Sequence, residues 1–195
     1  FKESVRVFQV VPRSVLFLFI IQLLGTISFA VIMPFIVVYA IGVLKITEVE
    51  WSLLLIFLFV AMIVSALPAG KLIDKVGRKF PLMLSYAIVL PSILLFLFGD
   101  FLKVLISMIL FGLSQVLGMS SHESLQADLV PREQRGKVMG FTGFVINIFM
   151  ALASIAGGIL YSISPQLVFL ISMLFMIPTF LMVLILVKEP EKRQE

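Results

Sequence analysis

Six long apolar runs alternate with short polar joints along the chain, at residues 14–41, 51–69, 80–98, 101–126, 138–161 and 166–187. Each can cross about 30 Å of hydrocarbon at about 1.5 Å of helical rise per residue. The joints, at residues 42–50, 70–79, 99–100, 128–137 and 162–165, are short enough to force neighbouring helices to run antiparallel. In lipid every backbone N–H and C=O needs a partner inside the chain, which a helix supplies by itself. The pattern therefore predicts an all-α integral membrane protein with six transmembrane helices. Its layout is a cytoplasmic interfacial segment at 1–13, a transmembrane domain at 14–187 and a charged tail at 188–195.

Composition removes the alternatives. Hydrophobic residues make up 61% of the 195 and charged residues 13%, against about 45–50% and about 25% in soluble domains. With a mean hydropathy of +1.19, a soluble globular domain is excluded. The absence of cysteine removes disulfides, thiolate metal sites and cysteine nucleophiles. No residue cluster calls for a metal or another cofactor, and none is expected. The net charge of +4 does not mark a nucleic-acid partner, because the basic residues cluster at the ends of apolar runs instead of along one polar face.

Their placement sets the orientation. Antiparallel alternation puts both ends of the chain and the second and fourth joints on one side. That side carries 13 of the 15 Lys and Arg residues, leaving Lys45 and Lys103 for the other. The positive-inside rule predicts that both ends are cytoplasmic, in a multi-pass protein of the plasma membrane. The first residue is Phe1 and not Met, as expected of a processed protein or a piece of a longer one. The first apolar run far exceeds the roughly 7–15 residues of a signal-peptide core. Phe1, Val5 and Phe8 recur at helical spacing, which suits either a short interfacial helix or a frayed basic flank.

Polar residues are distributed unevenly among the spans. In the fourth, Gln115, His122 and Gln126 fall on one stripe; the first has Gln22 and Thr26 one turn apart, and the fifth puts Gly143, Asn147, Ala151 and Ser154 on one face. Such groups must meet a partner or water. They form either a water-filled cavity lined by the first, fourth and fifth spans, with Gln22, Thr26, Gln115, His122 and Asn147 as candidate substrate contacts, or interhelical hydrogen bonds. The third and sixth spans are nearly all apolar and are expected to face lipid. The run of Ala151, Ala153, Ala156, Gly157 and Gly158 reads as a close-packing face.

The joints are more specific. Residues 70–79 include Gly70, Asp74, Gly77, Arg78 and Lys79, and residues 128–136 include Asp128, Pro131, Arg135 and Gly136. Gly77 permits a tight turn and Pro131 stops a helix. Asp74 can bridge to Arg78 or accept from a helix N-terminus, while Asp128 and Arg135 make a second opposed pair. A basic loop that only orients the chain would need neither carboxylate.

These joints resemble those of the major facilitator superfamily. The first matches that family's Gly, three residues, Asp, Arg or Lys, any residue, Gly, Arg, then Arg or Lys; the second matches its Asp-x-x-Pro-x-x-x-Arg-Gly. The resemblance covers the whole chain and implies one six-helix half built of two three-helix repeats. It further implies a cytoplasmic charge relay of Asp74, Arg78 and Asp128, with Asp74 engaging the other half when the inner gate is closed. The partners it implies are the lipid bilayer, a second half or a second copy, and a small-molecule solute. One departure stands out: Ala153 to Gly158 lacks the proline of the Gly-Pro-x-x-Gly-Gly found in the first half of many drug/proton antiporters. That favours the second, C-terminal half and lowers the antiporter reading, whereas the well-kept loop motif suits a first half.

For coupling, Glu123 is the candidate proton carrier. It lies about 7.5 Å along the helix from Asp128, so a place at the cytoplasmic interface competes with that role. The alternative class is a self-contained six-helix channel, an intramembrane enzyme or a non-transporting module. The chain has no Arg-rich fourth helix or filter loop, and its one histidine, His122, has no nucleophile motif beside it, so no enzyme activity is expected. The transporter reading predicts about twelve spans in the complete protein. A coding sequence with a start codon at Phe1 and no second half on either side would overturn it.

Overall fold

The structure, a computed structural model, describes residues 13–187. The expected interfacial segment, apart from the backbone of Arg13, and the charged tail lie outside the described residues. Six helices are long and apolar enough to cross a membrane: Ser14–Gly42, Glu48–Val76, Lys79–Leu97, Phe101–Leu129, Arg132–Ile163 and Leu167–Leu186.

Helices run further into the joints than the apolar pattern indicates. The second span starts at Glu48 because Thr47 and Glu50 form a capping box: Glu50 N–H donates to Thr47 Oγ1, and Thr47 N–H donates to Glu50 Oε2 at 2.8 Å. It then continues through Asp74 to Val76, and only Gly77, at φ 89°, turns the chain. That φ lies where a Cβ is strained, which is why glycine occupies the turn. Asp100 caps the fourth span by accepting from Lys103 N–H at 3.0 Å; this bond, then the Lys103 ammonium, holds its carboxyl below the ordinary range. The fourth span reaches Leu129 and the fifth starts at Arg132, so Val130 and Pro131 alone separate them.

The packing joins the two sequential triplets by exchange. The first span packs on the fifth and sixth, and the fourth packs on the second and third, while the third and sixth spans meet between the two sets. Matched pairs make matched close approaches. A Cβ at Gly112 would sit 2.8 Å from Leu58 O, where the fourth span crosses the second, and a Cβ at Gly157 would collide with Val31 O, where the fifth crosses the first. Small residues let the backbones meet, which in lipid replaces the hydrophobic drive between helices.

Serines fasten the other contacts. Ser28 of the first span and Ser172 of the sixth have hydroxyls 2.9 Å apart, and Ser28 Oγ donates to Ser172 O at 2.7 Å. Ser92 of the third and Ser107 of the fourth form a second clasp, each reaching the other's carbonyl, at 3.0 and 2.8 Å. Pro34 interrupts the first span with a 3₁₀ turn, Met33–Phe35. It has no N–H for the carbonyl of Ala30, and Ser154 Oγ of the fifth span donates there at 3.2 Å. Tyr39, Phe96 and Phe169 fill the core at the end away from the basic joints, with ring centroids 4.6 to 6.1 Å apart.

The expectation for the third span needs correction. The third is the most covered of the six and the second and fifth are the least. Its buried Ser85, Ser92, Val89 and Ile93 lie against neighbouring helices. Uniform apolarity hides this, because a helix covered by protein and one covered by lipid have the same composition.

The glycine contacts are testable. Gly157→Ala is expected to lower the thermal stability of the detergent-solubilised protein and Gly157→Val to lower it more, by about 1–3 kcal/mol for overpacking. Equal melting temperatures for wild type and both variants would contradict the close approach at Val31.

Candidate functional site

The first, third and fourth spans line a half-open cavity of about 280 Å³, with Met176 of the sixth also at its wall. The first span supplies Gln22, Gly25, Thr26 and Phe29. Gly25 is required here, since a Cβ would stand 2.8 Å from the Tyr86 hydroxyl. The fourth span supplies Gln115, His122 and Glu123, and the third adds Ser85 and Tyr86. His122 is buried with Nε2 3.5 Å from Leu18 O, and Glu123 is exposed. The walls thus combine amide, hydroxyl, imidazole and carboxylate groups with aromatic faces, a set that suits a small molecule carrying both polar and apolar parts.

Four of the five candidate contacts, Gln22, Thr26, Gln115 and His122, line this cavity together with Glu123. Asn147 does not: it sits on an exposed face of the fifth span. That span turns Val138, Thr142, Ile146, Ala153 and Gly157 inward, which leaves Asn147 about 100° from Ile146. The fifth span contributes no wall residue, and the third takes the place expected of it. Ser85 and Tyr86, adjacent polar residues inside an apolar run, were the available signal for the third span.

At the basic end, Arg78 Nε pairs with Asp128 Oδ2 at 2.9 Å, linking the start of the third span to the end of the fourth. Asp74 is exposed on the last turns of the second span, and Gly70 and Gly136 would each accept a Cβ without contact. Arg135 serves differently from the expected opposed pair with Asp128. Its Nε donates to Val130 O at 3.0 Å and its Nη2 donates to Ala127 O, so it caps the carbonyl end of the fourth span. Lys79 Nζ donates to Leu184 O at 2.8 Å, the equivalent service for the sixth. Cations are stabilising at these helix C-termini because unpaired carbonyls concentrate partial negative charge there. Among the described residues, no group of three or more His, Asp or Glu could hold a metal ion.

The described residues thus form a bundle of six candidate membrane spans, with a polar cavity among the first, third and fourth and charged side chains paired at one end. Residues 18–195 match the family described as Major Facilitator Superfamily, and the chain belongs to it. It is 29% identical over 126 residues to the quinolone resistance protein NorA of Staphylococcus aureus, covering 63% of this chain and 32% of that protein. It is 26% identical over 140 residues to multidrug resistance protein 1 of Bacillus subtilis, covering 71% of this chain and 36% of the relative. The chain spans about a third of the length of the curated relatives it matches.

The latch energy is measurable. Because the Arg78 and Asp128 side chains are 20% and 25% exposed, a double-mutant cycle with Arg78→Ala and Asp128→Ala is expected to give a coupling of about 0.2–1 kcal/mol. Strict additivity of the two single variants would show that the pair contributes nothing.

Proposed function

We propose that this chain is one half of a secondary active transporter of the plasma membrane, with both ends of the segment cytoplasmic, and that it moves a small amphipathic solute by alternating access. The observation that carries the reading is the cavity between the first, third and fourth spans, where Gln22, Thr26, Gln115 and His122 face Phe29, Tyr86 and Phe111. A second six-helix half, or a second copy, would cover the second and fifth spans, whose large apolar side chains are the least enclosed. The two relatives, a quinolone resistance protein and a multidrug resistance protein, agree with export of such solutes.

Asp74, Arg78 and Asp128 would form the inner gate, shaped by Gly70, Gly77, Lys79, Arg135 and Gly136. Arg78 and Asp128 hold the third and fourth spans together, which leaves the exposed Asp74 to reach across to the other half. Glu123 lines the cavity between the solute contacts and this gate, a position from which a carboxyl can exchange protons with the cytoplasm. Its protonation would couple movement to a proton gradient.

Uptake of ethidium into proteoliposomes by the complete protein tests the whole reading. Gln115→Ala is expected to raise KM by about two- to tenfold, the loss of one neutral hydrogen bond. In Asp74→Asn the inner gate is expected to close poorly, read as increased labelling of cysteines placed in the cytoplasmic cavity. Glu123→Gln is expected to lose the response to a pH gradient. No uptake under any imposed gradient would overturn transport, and a normal pH response in Glu123→Gln would remove that residue as the proton carrier.

A further inference from the structure

Two cavities adjoin inside the bundle. The polar one shares Phe29 of the first span and Phe111 of the fourth with a second cavity of about 340 Å³ on the side away from the basic joints. The two rings stack with centroids 5.7 Å apart and planes 19° from parallel. Both rings line both spaces, and each can reach other staggered side-chain wells.

The second cavity has a different chemistry. Its walls include Trp51, Leu55, Leu58, Phe96 and Met108. The hydroxyl side chains lining it are Ser92 and Ser107, and both are engaged, 3.2 Å from each other and bonded to each other's carbonyls. With those hydroxyls occupied, the walls give water little to bind. The volume here falls within the roughly 300–1,000 Å³ of small-molecule sites.

We propose that Phe29 and Phe111 are a movable partition, and that the apolar cavity behind them is a second subsite. It takes the aromatic or alkyl part of a ligand whose polar part remains among Gln22, Gln115 and His122. The inference rests on the transport reading for the entry of that ligand into the polar cavity. Continuity through the shared pair favours one amphipathic molecule over a lipid chain, which would need only the apolar space.

Trp51 lines this subsite and is the single tryptophan in the 195 residues, so its emission reports occupancy. The experiment uses the complete protein in lipid nanodiscs, 4-bromobenzyltrimethylammonium as quencher, and Trp51→Phe as the blank for other tryptophans. Saturable quenching is expected, with about tenfold weaker half-saturation in Leu55→Phe, which narrows the cavity. Phe29→Leu, which thins the partition, is expected to speed the onset of quenching, so a poorly folding Leu55→Phe does not end the test. Quenching that rises linearly with concentration and is the same in wild type and both variants would assign the space to bilayer lipid and overturn the proposal. Uptake of the same probe into proteoliposomes without saturable quenching would overturn the subsite and leave transport standing. Absence of both uptake and quenching would overturn both.

Discussion

A polar group inside hydrocarbon has no water to turn to, and this constraint decides how the six helices are joined. Hydroxyls meet it in two ways. Some return to their own helix, as Ser85 does to Leu82 O at 2.7 Å and Thr179 to Phe175 O at 2.7 Å. Others reach a neighbour, and those define the assembly: Ser28 to the sixth span, Ser92 to the fourth and Ser154 to the first. Among the buried hydroxyls of the described residues, Ser121 Oγ in the fourth span has no hydrogen-bond partner. Of the amides within the spans, Gln22 and Gln115 line the cavity, whereas Asn147 sits on an exposed face of the fifth span.

The basic end obeys a related rule. Each helix finishing there leaves carbonyls with no N–H to accept from, and the joints answer with cations. Arg135 covers the fourth span and Lys79 covers the sixth. Arg78 meets the carboxylate of Asp128 in the same neighbourhood. Residues that would satisfy the positive-inside rule by mere presence are thus also bonded into the helix ends, so topology and rigidity at this face depend on the same side chains.

The number of spans and their antiparallel order were legible because length and hydropathy carry them directly. The Arg78–Asp128 pair is implied only by the family resemblance; the residues alone suggest Asp74 with Arg78 and Asp128 with Arg135. Element ends were less legible: the second span gained Glu48 to Glu50 through a capping box that apolar counting ignores, although Thr47 followed by Glu50 is its visible signature. Which helices line the cavity was the hardest part. The third span was misplaced because its polar residues are few, and Asn147 because face assignments depend on which row the neighbour covers. Arg135 was read as half of an ion pair since the pattern shows charges, not the carbonyl ends that compete for them.

The bond from Ser154 to Ala30 gives the bend in the first span an uneven energetic character. The serine hydroxyl carries one hydrogen and has a second acceptor in its own helix, Met150 O at 2.9 Å. If the first span moves away, the donor swings back to that carbonyl and is never stranded. Only the oxygen of Ala30, already deprived of an amide by Pro34, loses a partner. Losing this one bond therefore costs roughly 0.5–1.5 kcal/mol, the worth of a neutral hydrogen bond, which is within a few multiples of thermal energy. At this point the first span is held by a tie that lets go from one side alone, while the Gly157 approach and the Ser28–Ser172 clasp hold it elsewhere.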